Sequence, residues 1–276
     1  MKIEVIEEHN EIVDLIKEAS EKSKNDFIFV NVDSHSDLGV YELGKEPTIG
    51  SFITYLVYGG FLKKYLWIKN NKNLNEFEDG FYKSSLWLDK NNTLVFDLNH
   101  KLCYLNGVYG KNAPINSKKF SFQVVSEEKL NKFKINDEKW FLSIDCDYFS
   151  CSNPFKNELD QLKKSFPSND FEKMLIDFSK IKDEKDFLSF MCHLNRLEKI
   201  DFFNEAFDIN FDELVFSKNE ILKKINLVLT FLKQNFDIKK CLGIVLCKSE
   251  SSGYTKKENV QFILDNLKKS LNEYLK

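Results

Sequence analysis

Three stretches of this chain are apolar almost without a break: "DFIFVNVD" at 26–33, "KWFLSIDCDYF" at 139–149 and "KCLGIVLCKS" at 240–249. A strand with one face in water alternates apolar and polar residues, whereas these do not, so both of their faces must be covered. The covering material is visible between them. "EEHNEIVDLIKEASEKS", "TIGSFITYLVYGGFLKK" and "TKKENVQFILDNLKKSLNEYL" carry apolar residues at helical spacing, while "KIEVIE" and "YLWIK" read as further strands. Strands alternating with helices predict a mainly parallel sheet between two helical layers, a three-layer α/β/α fold. Residues 73–125 are polar and strand-rich, with turn signals at Asn91-Asn92 and Asn106-Gly107, and their pairing is not readable. Residues 156–236 carry Phe, Leu, Lys and Glu at helical periods. Thr255 is placed to cap the closing helix.

With 276 residues, 42% of them hydrophobic and 30% charged, the chain can bury one large core, and a single domain over 1–276 is expected. A net charge of −3, with both signs interspersed, provides no electrostatic footprint for nucleic acid or a membrane surface. The six cysteines include no CxxC pair, and Cys146, Cys192, Cys241 and Cys247 fall in apolar stretches, as reduced core thiols do. No signal peptide and no membrane-spanning run is evident, so a cytoplasmic location is expected.

Two of the apolar runs end in acid. "VDSHSD" places Asp33, His35 and Asp37 after the first, and "IDCD" places Asp145 and Asp147 in the second; His9 follows the opening strand. Ligands of open parallel sheets bind beyond the carboxyl ends of the strands. The strand period of two would turn Asp33, His35 and Asp37 to one side, and Asp145 and Asp147 likewise. Each such group costs several kcal/mol if buried unpaired, on the order of 2–7 kcal/mol, and a bound cation removes that cost. A DxD at a strand end is commonly just a turn or helix cap, and a lone histidine in an acidic first turn is commonly a surface residue. The joint pattern favours metal. Four carboxylates and two imidazoles suit a hard ion such as Mn²⁺, and six ligands exceed what one tetrahedral ion needs, which suggests two ions about 3.5–4 Å apart.

These motifs, "EEHNE", "VDSHSDL", "SIDCDYFS" and "SESSGYT", together resemble the arginase–agmatinase ureohydrolase superfamily, and most closely its peptide arginases, which convert arginine residues of a peptide to ornithine. The resemblance implies an arginase-like α/β domain holding two Mn²⁺ ions. His9 and Asp37 would serve the first ion, His35 and Asp147 the second, and Asp33 and Asp145 would bridge both. It implies that Asp37 also accepts a hydrogen bond from the attacking hydroxide, and that Glu250, in "CKSES", is the candidate to pair with the guanidinium. An arginine-containing peptide or a small guanidino compound would be the substrate, with urea released. Against the arginase pattern, the first metal histidine comes early, so neither the usual sheet size nor the usual oligomer carries over, and the helical stretch at about 156–236 reads as an insertion. The proton-shuttle histidine has no clear match in His100 or His193. Gly253 and Tyr254 carry the resemblance further, the tyrosine as a pocket residue. Two other functions compete. A mononuclear zinc amidohydrolase of the deacetylase type needs paired histidines that are not evident, and a non-catalytic metal-binding protein has no use for two activating ions.

Overall fold

The apolar runs form the middle of the sheet, as their two-faced hydrophobicity requires. Residues 2–70, 77–90, 92–133, 138–164, 170–210 and 213–275 are described in the computed structural model. Its strands are β1 (Ile3–Ile6), β2 (Ile28–Val32), β3 (Lys64–Lys69), β4 (Gly80–Leu88), β5 (Leu94–Phe96), β6 (Lys118–Ser126), β7 (Trp140–Asp145) and β8 (Cys241–Cys247). They make one 8-stranded sheet in the order β1-β8-β7-β2-β3-β6-β4-β5. From β1 through β6 in that order all neighbours are parallel, and β4 with β5 closes the far edge as an antiparallel hairpin. The mainly parallel α/β architecture expected from the sequence is the one observed.

Alternation along the central strands divides their side chains between two cores. Phe29, Tyr65, Trp67, Phe141 and Val245 face one layer, while Val30, Val32, Leu66, Ile68, Leu142, Ile144 and Leu246 face the other. The first layer holds α1 (Val13–Ser23), α2 (Phe52–Tyr58), α3 (Lys101–Leu105), α4 (Lys156–Lys164), α5 (Asp170–Ser179), α6 (Glu184–Arg196) and α7 (Ile200–Asp208). The second holds α8 (Lys218–Asn235) and α9 (Lys257–Tyr274). The helical stretch after β7 therefore divides. Its first four helices join the α1 layer, knitted by Phe171, Phe178, Phe190, Phe203 and Phe207, and its last helix crosses to pack with α9.

Several local expectations are corrected. Thr255 does not cap α9: Lys256 takes that place, and the Thr255 N–H instead donates to Ser249 O at 2.8 Å, tying the loop back on itself. Cys192 lies exposed on α6 and Cys241 is half-buried, although Cys146 and Cys247 are core thiols; all six are free. Of the two turn signals, Asn92 has φ 59° and Gly107 φ 65°, left-handed turns as expected, while Asn91 lies outside the described residues. Among the described residues, no helix is long and apolar enough to cross a membrane.

Candidate metal centre

Adjacent parallel strands bring the two acidic motifs together. β2 and β7 pair with Val32 opposite Ile144, so Asp33 and Asp145 leave the sheet side by side at its carboxyl edge. Each then folds its own following turn in the same way: the His35 N–H donates to Asp33 Oδ1 at 2.8 Å, and the Asp147 N–H to Asp145 Oδ1 at 3.0 Å. The turns interlock, since the Ser34 N–H donates to Asp147 Oδ1 at 3.2 Å. The period-two expectation for these residues is corrected here, because past Val32 and Asp145 the chain leaves strand geometry. Convergence comes from two aspartate turns, and Asp37 is carried back toward the site by a left-handed backbone with φ 53°, which aspartate tolerates better than most residues.

His9 enters from the short 3₁₀ turn His9–Ile12 that follows β1. Its Nδ1 lies 2.9 Å from Asp33 Oδ2, 3.1 Å from Asp37 Oδ2 and 3.3 Å from Asp145 Oδ2. His35 Nδ1 is 2.9 Å from Asp147 Oδ2 and 3.8 Å from Asp33 Oδ1. Asp33 thus presents one oxygen toward each imidazole. All four carboxylates and His9 are buried, and His35 is half-buried.

Burial drives the electrostatics. It pushes the carboxyls of Asp37, Asp145 and Asp147 upward, and neighbouring carboxylates add to the effect: Asp33 on Asp37, Asp147 and Asp33 on Asp145, and Asp33 on Asp147. Asp33 moves the other way. Burial would raise it, but the hydrogen bond and charge of His9 outweigh that and hold it low. His9 is the counterpart, raised because Asp33 and Asp37 outweigh the burial that would lower it. Two imidazoles cannot neutralise four buried carboxylates.

The residues fit a cation. Asp37 Oδ2 is buried and makes no well-directed hydrogen bond, having to share His9 Nδ1 with Asp33 and Asp145. His9 Nε2 is 2.7 Å from Ser143 Oγ, an arrangement that, with the proton on Nε2, leaves Nδ1 as a lone-pair donor toward the carboxylates. His9, Asp33 and Asp145 offer ligand atoms all within 4.8 Å of one another, and so do His35, Asp147 and Cys151. The donor set is mostly oxygen, the chemistry of harder divalent ions.

A cavity of about 290 Å³ opens above this floor. His9, Asp33, His35, Asp37, Asp145 and Asp147 all line it, together with Ser249 and Tyr254; its walls are apolar, from Phe96, Leu98, Leu102, Val108, Phe122 and Phe207 among others. Glu250 is not among the lining residues, and its Oε1 lies 3.5 Å from Lys257 Nζ. His100 caps α3 and meets Glu78 at 2.9 Å, and His193 is exposed on α6, so neither lines the cavity. Gly253 has φ 81°, and the Tyr254 ring that follows stands edge-on to His35 with centroids 5.0 Å apart.

Several supporting residues escaped the sequence reading. Asn31 Nδ2 donates to Asp33 Oδ2 at 3.0 Å, Ser249 Oγ to Asp145 Oδ2 at 2.6 Å, and Trp67 Nε1 to Asp33 O at 2.9 Å. Two had a signal: Asn31 and Ser143 are polar residues inside apolar strands, each two positions before a site aspartate. Ser249 and Trp67 had none, because their roles depend on which strands are neighbours.

No family model and no curated protein matches the chain. Among solved structures, it is similar to the proclavaminate amidino hydrolase of Streptomyces clavuligerus at 11% identity, over 97% of this chain and 62% of that one, with TM-score 0.43. It is similar to a hypothetical agmatinase from Burkholderia thailandensis at 10% identity, over 98% of this chain and 57% of that one, with TM-score 0.46. The arginase from Medicago truncatula is similar at 10% identity, over 99% of this chain and 58% of that one, with TM-score 0.40. The chain spans about three fifths of the length of these structures.

Proposed function

We propose that this protein is a binuclear, manganese-dependent hydrolase of guanidino groups, converting an arginine residue within a peptide to ornithine and urea. The observation that carries the reading is the convergence of six buried or half-buried side chains on one cavity, where four carboxylates have two imidazoles between them. His9, Asp33, Asp37 and Asp145 would hold one ion, and His35 and Asp147 the other, with Asp33 and Asp145 shared. When bound, two such ions supply Lewis acidity and make water a nucleophile near neutral pH. The protein's own groups do the rest. Ser143 orients His9, Asn31 and the His35 N–H hold Asp33, and Ser249 holds Asp145. Apolar walls exclude bulk water from the floor, which strengthens every charge interaction there.

The walls also bear on substrate. No lysine or arginine is among the described residues lining the cavity, so the α-carboxylate of a free amino acid would meet no counter-charge. A peptide presents amides there instead. Glu250 serves the guanidinium in this reading only by turning away from Lys257. The test is mass spectrometry of Mn²⁺-loaded protein offered arginine peptides, agmatine and free arginine in parallel. Loss of about 42 Da from the peptide, the difference between guanidino and amine expected of metal-assisted hydrolysis, supports the reading. Turnover of free arginine alone would remove the peptide assignment, and absence of urea from every compound despite two bound ions would remove the activity.

A further inference from the structure

Cys151 stands beside the acidic floor without a task in the reading above. It follows Asp147 by four positions, and it is buried, with 1% of its surface exposed. Its sulfur belongs with ligand atoms of His35 and Asp147 to a group in which all lie within 4.8 Å of one another. Three donors of different kinds meet there, from the β2 turn, the β7 turn and the chain beyond it.

The residue is also held in place. Cys151 pairs with Thr255 across an isolated antiparallel bridge, and its carbonyl accepts from the Leu214 N–H at 2.8 Å. The Ser152 N–H donates to Tyr254 O at 2.6 Å, and the Tyr254 ring stands against His35. The sulfur makes a long contact to Ser152 O at 3.7 Å, weaker than an ordinary hydrogen bond, and a hydrogen bond with the Ser34 side chain. The adjoining group is also short of positive charge: Asp37, 8% exposed, makes no well-directed hydrogen bond at its inward Oδ2 and shares His9 Nδ1, 3.1 Å away, with Asp33 and Asp145.

We propose that Cys151 is a third protein ligand of the second ion, alongside His35 and Asp147, so that the centre has one hard and one soft position. This rests on the binuclear reading above. His9 with Asp33, Asp37 and Asp145 makes the oxygen-rich position and suits Mn²⁺, whereas a His–Asp–Cys set favours Zn²⁺ or Co²⁺. On coordination the thiol proton leaves to solvent and a sulfur lone pair forms the bond to the ion, with no change of oxidation state. The native centre is then of mixed composition, one manganese beside one softer ion.

The full-length protein, stripped by chelator and loaded with Co²⁺ alone, is expected to show a near-ultraviolet thiolate-to-cobalt charge-transfer band. Cys151→Ser removes that band, while Cys103→Ser, which alters a thiol on the cavity wall, keeps it. Cobalt is counted by elemental analysis in each form. X-ray absorption of the unsubstituted protein loaded with Zn²⁺ needs no variant to fold, and it is expected to show sulfur scattering at about 2.3 Å. Two bound cobalt ions without the band, a band that survives Cys151→Ser, or zinc surrounded by nitrogen and oxygen alone overturns the assignment and leaves the binuclear centre standing. A protein that binds neither Co²⁺ nor Zn²⁺ overturns both.

Discussion

At the scale of single residues, the site is a charge problem held in position by neutral hydrogen bonds. Asp33 faces both imidazoles, so Asp33→Ala is expected to lose both ions, whereas Asp147→Ala chiefly weakens the one beside His35. Elemental analysis after exhaustive dialysis distinguishes the two. Ser143 touches no ion, yet it orients His9 from 2.7 Å, and Ser143→Ala should weaken metal binding by about 10–100-fold without changing the number of sites. Titration calorimetry reads that shift, and unchanged affinity would deny Ser143 its role. Without metal, stability should also depend on pH in an unusual direction. Asp37, Asp145 and Asp147 are raised from an ordinary value of 3.8, and His9 from 6.5, so these groups hold more protons in the folded chain than in the unfolded one above their ordinary values. Stability is then lost as pH rises through these folded values. Asp33 has the opposite sign, as do Glu7, Glu78, Asp79 and Glu213, but those contributions are complete above about pH 5, past the ordinary carboxylate values. The metal-free Tm should fall from about pH 5 upward, and Mn²⁺ should flatten the slope; a metal-free Tm rising steadily to pH 8 would contradict the charge reading. The convergence of the six side chains was legible because acidic residues at the ends of apolar strands are hard to explain otherwise. Cys151 was not, since nothing in its spacing shows that the chain turns back to meet His35.

At the scale of elements, what could be read was whatever depends on neighbours along the chain. The central strands and the two long helices of the second layer announce themselves by composition and period, and α8 even carries a capping box, Ser217 with Glu220. The region of β4, β5 and α3 did not, because its strands are mixed in burial and pair at the sheet's edge with β6, a later element. The end of β8 is the instructive case. Thr255 looked like a cap, but the turn before α9 is closed by backbone bonds from Thr255 to Ser249 and by Gly253 at φ 81°. A side chain at that φ costs about 1–2 kcal/mol, so Gly253→Ala should destabilise the protein by that amount in chemical denaturation. It should also displace Tyr254 from His35, seen as a change in tyrosine environment; an unaltered midpoint would show the turn relaxing freely.

At the scale of the whole molecule, the layered sheet explains why so short a pair of motifs can make a site. His9 bonds to Ser143 across 134 positions of sequence, and His35 to Asp147 across 112, yet β2 and β7 are neighbours. The overall architecture was readable from alternation of elements, while the order of strands was not, because order is set by crossovers packing on both faces. That separation has a kinetic consequence. Parallel strands far apart in sequence pair late, since the cost of closing the intervening chain must be met before any contact forms. Until they pair, Asp145 and Asp147 stand apart from the four site residues that precede them, and an ion has little to grip. Manganese should therefore leave the refolding rate of the chain nearly untouched and slow its unfolding, as expected for contacts absent from the transition state. Stopped-flow measurements with and without the ion decide this, and acceleration of refolding would mean that the two turns meet early. In a cell, such a protein would leave the ribosome as a metal-free globule and acquire its longevity only afterwards, when the ion locks its two central strands together.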